Sequence, residues 1–376
     1  MAEQMDSTLE LINALEAQVK KVHTQSLDIS FNELIDMKRS NELNITPDFQ
    51  RLFRWTEGAQ SRFIESLLLE MPVPPIYVVE DDAGNYTLID GLQRISSYLH
   101  LRGELDAPDL EPPVNRGDKL KLVDCDIVNE LNGKSWDDLG TALQIKLKRS
   151  FVRVEVVRKG SAPHFKYHMF KRLNTGGEIL TPQQIRNCTI RLLNPRFIDY
   201  IIDLCSDDSF KTYVDLLSYE QRRSSYDQEL VLRFFALKNN RLGFVHSVED
   251  FLTEYMEAVS DPITPITFDY EAERELFKKT FSVLTKSIGD KAFGYANKNR
   301  DDIVRGFGIY QFEAFTIGIQ NKLADYDPEN EEQMDSLRKK IKEIKLEQAF
   351  ITMTIGGGKN SKGPLNDRIS FVEQNL

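Results

Sequence analysis

Near the start of the chain, apolar residues recur at three- and four-residue steps, at Leu9, Ile12, Leu15, Val19 and Val22, the spacing of an amphipathic helix. Such a stripe needs a partner surface, and that surface could belong to another subunit. Ser30-Phe31-Asn32-Glu33 has the form of a capping box opening a second, short helix. Pro47 then forces an extended passage through ITPDFQRLFRW. The next helix is predicted over residues 56–70, with Phe63, Ile64, Leu67 and Leu68 on one face, ending at MPVPP, where prolines stop it. The strand IYVVE follows. Asp81-Asp82-Ala83-Gly84-Asn85 is turn chemistry, and YTLI returns as the second strand of a hairpin, delivering the chain to Asp90.

Residues 103–116, with prolines at 108, 112 and 113, read as a surface loop. Beyond it KLKLVDCDIV and FVRVEVVRK are predicted strands separated by a helical stretch. After Ala162 the pattern turns helical and stays so to about Phe350, interrupted near residues 260–265 and 325–330. The expected fold is α+β, in four parts: an N-terminal amphipathic helix over residues 1–27, an α/β domain over 28–180, an α-helical domain over 181–350 and a glycine-rich tail over 351–376. No internal repeat or low-complexity tract is visible.

Composition narrows the function classes. Of the 376 residues, 41% are hydrophobic and 28% charged, an ordinary globular balance that excludes disorder on a large scale. A net charge of −11 argues against general adhesion to nucleic acid or anionic membrane, so any DNA contact must be local. Cys125, Cys188 and Cys205 form no C-x-x-C pair and are odd in number, which supports neither a disulfide framework nor a zinc site and fits a reducing cytosol. The N-terminus lacks a basic region followed by an apolar core, and no apolar run approaches the ~18 residues that span a bilayer. A soluble, unprocessed, cytoplasmic protein without a membrane partner is expected.

Chemistry concentrates where TLIDGLQRISSYLHL passes from strand to helix. A helix N-terminus presents unpaired N–H groups, and a glycine there, Gly91, lets a phosphate approach the backbone. Asp90 at the cap and Arg94 one turn on would face the same side, one able to hold Mg²⁺ or orient water, the other to grip phosphate. Gln93 adds a neutral donor and acceptor. The plain alternative is that Asp90 caps the helix and Arg94 makes a surface ion pair. Two further stretches bear on the choice. Gln50, Arg51 and Arg54 precede or interleave with Phe53 and Trp55, an aromatic pair expected to anchor the segment, and fixed arginines suit phosphates. In FKRLNTGGEILTPQQIRN, Asn174-Thr175-Gly176-Gly177 ends one helix and Thr181-Pro182 begins the next, either as a simple connection or as a compact polar loop.

Taken together, NITPDFQRLFRW, PVPPIYVVEDDAGNYTLIDGLQRISSY and FKRLNTGGEILTPQQIRN resemble, in order and spacing over about residues 28–190, the DUF262 family. This is the N-terminal region of GmrSD-type, modification-dependent restriction enzymes, similar to the ParB/sulfiredoxin-like fold. The family's D-G-Q-Q-R, associated with nucleotide binding and hydrolysis, falls on Asp90, Gly91, Leu92, Gln93 and Arg94, with a departure at Leu92, which cannot hydrogen-bond to a nucleotide. Its Q-R-x-x-x-W falls on Gln50, Arg51 and Trp55, and its N-T-G-G on Asn174, Thr175, Gly176 and Gly177. The resemblance implies an NTP-binding and NTP-hydrolysing regulatory subunit of a DNA-targeting restriction or phage-defence system. Asp90, Gln93 and Arg94 are then the catalytic candidates, with Mg²⁺ at Asp90. Gln50, Arg51, Arg54, Gly91, Arg172 and the Asn-Thr-Gly-Gly loop would surround the phosphates.

Two-part members of the family add an H-N-H nuclease, an arrangement that His23, His100, His164, His168 and His246 do not offer. His164 and His168 are four apart on a predicted helix but lack the glutamate of H-E-x-x-H. Glu155 and Lys159 have the wrong spacing for a carboxylate-x-lysine nuclease. A separate nuclease subunit is therefore the expected partner. The tail's GGGK misses the P-loop spacing, since Asn360 follows Lys359 and Met353 stands where the first glycine belongs. It is either a flexible loop before a final element or a segment bringing Lys359 or Arg368 over the nucleotide. Two alternatives remain beside the regulatory NTPase: a ParB-like DNA- or partner-binding module without hydrolysis, and a ParB-like nuclease. The many amphipathic segments also lead to the expectation of a homo-oligomer.

Overall fold

The computed structural model describes residues 11–13, 15, 16, 23–45, 53, 55–108, 110, 112–173, 181–245 and 247–376. The chain divides into two units, Met1–Leu180 and Thr181–Leu376. The first is mixed α/β and the second helical, the α+β arrangement expected from the pattern. No helix among the described residues is long and apolar enough to cross a membrane.

The first unit is built on five strands: β1 (Thr24–Ser30), β2 (Leu43–Asn44), β3 (Ile76–Glu80), β4 (Tyr86–Asp90) and β5 (Phe151–Val157). Their order is β1-β5-β3-β4-β2, with β3 parallel to β5, β2 parallel to β4, and the β1/β5 and β3/β4 pairs antiparallel. Among the described residues the sheet is accompanied by helices α1 (Phe31–Arg39), α2 (Glu57–Leu68), α3 (Leu92–Leu101), α4 (Gly140–Arg149) and α5 (Pro163–Leu173). Ser30 caps α1 by accepting from Glu33 N, and Thr56 caps α2 by accepting from Ala59 N, each satisfying an orphan donor of the first turn. The core between sheet and helices includes Phe31, Ile64, Val78, Ile89, Tyr98, Leu101, Val154 and Val156, all almost wholly buried.

Two elements differ from expectation. Residues 24–27, read as the end of the N-terminal helical segment, begin the edge strand β1. Only Leu27 and Ile29 are apolar there, because an edge strand of a half-covered sheet needs little apolar surface, so periodicity gives no strand signal. KLKLVDCDIV, expected as a strand, joins no sheet. Leu120 and Leu122 are buried as an alternating pattern demands, and Cys125 is buried one position out of step with it, but the backbone donors go elsewhere. Val123 N donates to Ser61 Oγ, Ile127 N and Val128 N to Glu65 Oε1, and Leu122 N to Lys134 O. Side chains of α2 thus replace a neighbouring strand, and burial rather than pairing produces the alternation.

The second unit holds α6 (Pro182–Ile190), α7 (Arg196–Leu204), α8 (Asp208–Val214), α9 (Tyr219–Arg223), α10 (Tyr226–Asn240), α11 (Val248–Ser260), α12 (Tyr270–Ile288), α13 (Ile309–Gly318), α14 (Glu331–Leu346), α15 (Gln348–Thr354) and α16 (Lys362–Asn375). Pro182 stands at the first helical position of α6, as Thr181-Pro182 predicts, and Thr181 and Gln184 in addition cap the helix reciprocally. The glycine-rich stretch is no separate tail: α16 buries Leu365, Ile369 and Val372 in the core of this unit and packs on α13. An aromatic interior, with Phe234, Phe235, Phe277, Phe281, Phe293 and Phe312 in ring contact, surrounds a chain of buried charges. Arg186 pairs with Glu229, Glu229 with Arg233, Arg233 with Glu313, and Glu313 with Arg368.

Glu313 is wholly buried between two arginines, so removing its charge leaves both guanidinium groups uncompensated. Glu313→Gln should cost about 3–5 kcal/mol of unfolding free energy. Urea denaturation followed by far-ultraviolet circular dichroism checks this, and a loss under about 1 kcal/mol would show that the network is not held by this carboxylate.

Candidate functional site

The junction of β4 and α3 is shaped by two backbone devices. Tyr77 pairs with Asp90 and Val78 with Leu88, so the register shifts by one residue at the end of β4. The extra residue allows both Leu88 and Ile89 to be buried while Asp90, with 37% of its side chain exposed, turns toward solvent. Gly91 follows at the N-cap of α3 with φ of 110°. A Cβ there would lie 2.7 Å from Ile76 Cγ1, so both conformation and space require glycine. The expectation that Asp90 caps the helix is thereby corrected. Gly91 occupies the cap, no side chain caps the first turn, and those N–H groups lie behind a residue without a side chain.

Arg94 is fixed from two sides. Its Nη2 donates to Asp90 Oδ2 and to the Pro75 carbonyl, both at 3.0 Å, and its side chain is 12% exposed. The buried Nε has no hydrogen-bond partner among the described residues. Leu92, where the related motif has glutamine, is buried in the core. Gln93 reaches the other way: its Oε1 accepts from Trp55 N at 3.1 Å. Gln60 Nε2 donates to Trp55 O at 2.9 Å, so side chains of α2 and α3 clamp the backbone of Trp55 from both sides. Phe53 is buried and Trp55 packs edge-on against Phe63 at 5.8 Å, the anchoring expected of this aromatic pair.

The clamp continues inward. His100 Nδ1 lies 2.8 Å from Gln60 Oε1, and since the Gln60 amide nitrogen is committed to Trp55, the imidazole is the donor. Neither Gln60, His100 nor the Pro75 carbonyl was marked by the sequence reading. Gln60 and His100 were within its reach, as polar residues on the apolar faces of α2 and α3, whereas a carbonyl acceptor leaves no sequence signal.

The remaining candidates stand as follows. Gln50, Arg51 and Arg54, and the loop of Asn174, Thr175, Gly176 and Gly177, lie outside the described residues. Arg172 is exposed near the end of α5, a helix that contacts β4, the strand ending at Asp90. Both tail candidates belong to the second unit. Lys359 Nζ donates to the carbonyls of Thr352 and Ile355, and Arg368 is wholly buried, donating to Glu313 and to the Lys359 carbonyl and stacking 4.6 Å over Tyr310. Among the described residues no group of three or more His, Cys, Asp or Glu side chains is placed to hold a metal.

Burial lowers the pKa of His100 below its ordinary 6.5. The unfolded chain therefore takes up this proton first as pH falls, so the contribution of a neutral His100 to stability is complete above about 6.5 and declines below it. Both tryptophans, Trp55 and Trp136, lie in the first unit, so their fluorescence reports its unfolding alone. The urea midpoint read this way should drop between about pH 7 and pH 5, and His100→Gln should flatten that slope. An unchanged slope in the variant would assign it to other groups.

Comparison with known proteins bears on residues 31–191, which match the family model of the GmrSD restriction endonuclease, N-terminal domain. The match spans the whole β4–α3 junction and extends into α6. No curated protein and no solved structure matches the chain. Residues 31–191, with D-G-L-Q-R at the strand–helix junction and the Gln93 clamp on Trp55, form a GmrSD-type (DUF262) domain of the restriction endonuclease N-terminal family.

Proposed function

We propose that the first unit binds a nucleoside triphosphate at the β4–α3 junction, hydrolyses it, and thereby regulates a DNA-targeting restriction system whose nuclease is a separate subunit. The observation that carries this reading is the hydrogen bond from Trp55 N to Gln93 Oε1. It fixes Trp55, the last residue of QRLFRW, on the first turn of α3, and Arg54 and Arg51 precede Trp55 in the sequence by one and four positions.

Each residue then has a role set by its surroundings. Gly91 lets phosphate oxygens approach the N–H groups of the first turn. Arg94, pre-oriented by the Pro75 carbonyl, has an unpartnered Nε for an anion and a second interaction, with Asp90, that a phosphate can replace. Displaced from Arg94, the Asp90 carboxylate becomes available to a water or a cation. Mg²⁺ is commonly held by one or two carboxylates together with phosphate oxygens, so a single exposed aspartate fits an ion that arrives with the nucleotide. That ion would neutralise charge on the phosphates. Gln93 is a positioning residue in this scheme, because its amide oxygen is occupied by Trp55.

Loss of a contact made mainly in the transition state lowers turnover more than affinity. Asp90→Asn should therefore abolish NTP hydrolysis while nucleotide affinity stays within about tenfold. Unchanged turnover would remove Asp90 from the catalytic role. Arg51→Ala and Arg94→Ala should each lose ~1.5–3 kcal/mol of nucleotide binding, and the double variant less than the sum, if both grip one triphosphate. Strict additivity would place them at separate sites. Should Arg51→Ala spare nucleotide affinity but weaken DNA binding and flatten its salt dependence, the QRLFR stretch is a nucleic-acid surface instead.

A further inference from the structure

Gln60 and His100 are polar side chains in apolar surroundings, 4% and 5% exposed where α2 packs on α3, beside the buried Phe63, Ile64 and Leu99. Two apolar residues of similar size would join these helices as well, since exchanging both partners of a buried hydrogen bond for apolar groups is nearly neutral. The polarity of the pair is therefore accounted for by what it holds.

What it holds is the backbone of Trp55. This residue lies outside helix and strand, so its amide and carbonyl have no ladder to join, and each is met by a side chain. Gln93 Oε1 accepts from the N–H at 3.1 Å, and Gln60 Nε2 donates to the carbonyl at 2.9 Å. An amide such as that of Gln60 has two orientations, and the proton that His100 Nδ1 directs at Gln60 Oε1, across 2.8 Å, selects one of them. Turned over, Gln60 would set its oxygen against the Trp55 carbonyl. Gln93 and His100 stand seven positions apart on α3, about two turns, and so share a face of it. His100, Gln60, Trp55 and Gln93 thus close a ring that starts and ends on that helix. Its last member sits between Gly91 and Arg94 in the sequence, in the first turn of α3.

We propose that Gln60 and His100 are positioning residues for the β4–α3 junction, acting on it through the Trp55 backbone, a role that presupposes the nucleotide site proposed above. Buried as they are, neither meets the ligand. They hold Trp55 against the first turn of α3, and Trp55 in turn holds Gln93 beside the N–H groups that the phosphate would approach. Without the pair, Trp55 is free to leave that turn and the ring opens.

Isothermal titration of the full chain with a slowly hydrolysed ATP or GTP analogue and Mg²⁺, using whichever the wild type binds, tests this. Gln60→Leu and His100→Leu should each raise the Kd about tenfold, with far-ultraviolet circular dichroism unchanged. Because the two act in series on one carbonyl, the double variant should lose no more than the larger single loss. His100→Asn, whose amide nitrogen can take the place of Nδ1, should return the Kd to within about twofold of the wild type. Gln60→Glu, equal in size but an acceptor toward the Trp55 carbonyl, should show the same loss as Gln60→Leu and replaces it if that variant folds poorly. A second readout needs no nucleotide. With Trp136→Phe in the background Trp55 is the sole tryptophan, and acrylamide should quench it more strongly once Gln60→Leu is added. An unchanged Kd in folded variants, additive losses, an asparagine variant as weak as the leucine one, or quenching that does not rise would overturn the positioning role and leave the nucleotide site standing. No binding by the wild type would instead remove the nucleotide site, and this role with it.

Discussion

The left-handed turn at Gly91 is the constraint around which the first unit is arranged. It is tight against Ile76 at the start of β3, so the hairpin, the bulge before Asp90 and the first turn of α3 are positioned together. Had any other residue stood there, either the turn would open or β3 would shift, and in both cases Arg94 would lose the Pro75 carbonyl that aims it. The Gln93 clamp on Trp55 depends on the same turn, since Gln93 projects from the turn of helix that Gly91 initiates. Trp55 and Arg94, far apart in the sequence, are thus tied to one backbone conformation.

The buried charges divide by role. In the first unit the Asp90–Arg94 pair is partly exposed and one of the arginine's nitrogens is unpaired, an arrangement that a ligand can rearrange at small cost. In the second unit the Arg186–Glu229–Arg233–Glu313–Arg368 chain is largely buried and each of its arginines is paired with a carboxylate, although the Arg233 Nε, like that of Arg94, has no partner among the described residues. Lys345 shows the limit of this economy: buried without a carboxylate, its amine is pushed well below the ordinary lysine range and donates to Gly294 O and Gln311 Oε1. Such groups hold helices of the second unit to one another through buried polar contacts.

Much of this was legible from residue pattern. The cap at Ser30, the helix starts at Thr56 and Thr181-Pro182, the proline stop before β3 and the Asp-Asp-Ala-Gly-Asn hairpin each rest on local chemistry, and local chemistry is what a sequence displays. Non-local compensation was not legible. The extended segment at Leu120–Leu122 looks like a strand because it is buried like one, yet Leu120 N and Leu122 N donate to His100 O and Lys134 O, and the donors that follow, at Val123, Ile127 and Val128, are taken by Ser61 and Glu65 from a helix some sixty residues earlier. Asp90 looked like a cap because aspartate before a helix usually is one, but the bulge moved it one position out of that role. Arg368 looked available for a ligand because arginine is seldom wholly buried, and only Glu313, on another helix, accounts for its place.

The central claim is that this junction receives a nucleotide, and the most direct measurement is isothermal titration of the full chain with a slowly hydrolysed ATP analogue and, separately, its GTP counterpart, with Mg²⁺ present. The account predicts a saturable heat for at least one of them at about one nucleotide per chain, weakened when Gly91 is replaced by alanine and the amide face is closed. Absence of saturable heat with either nucleotide at millimolar concentration, in protein whose fluorescence shows a folded first unit, would contradict it.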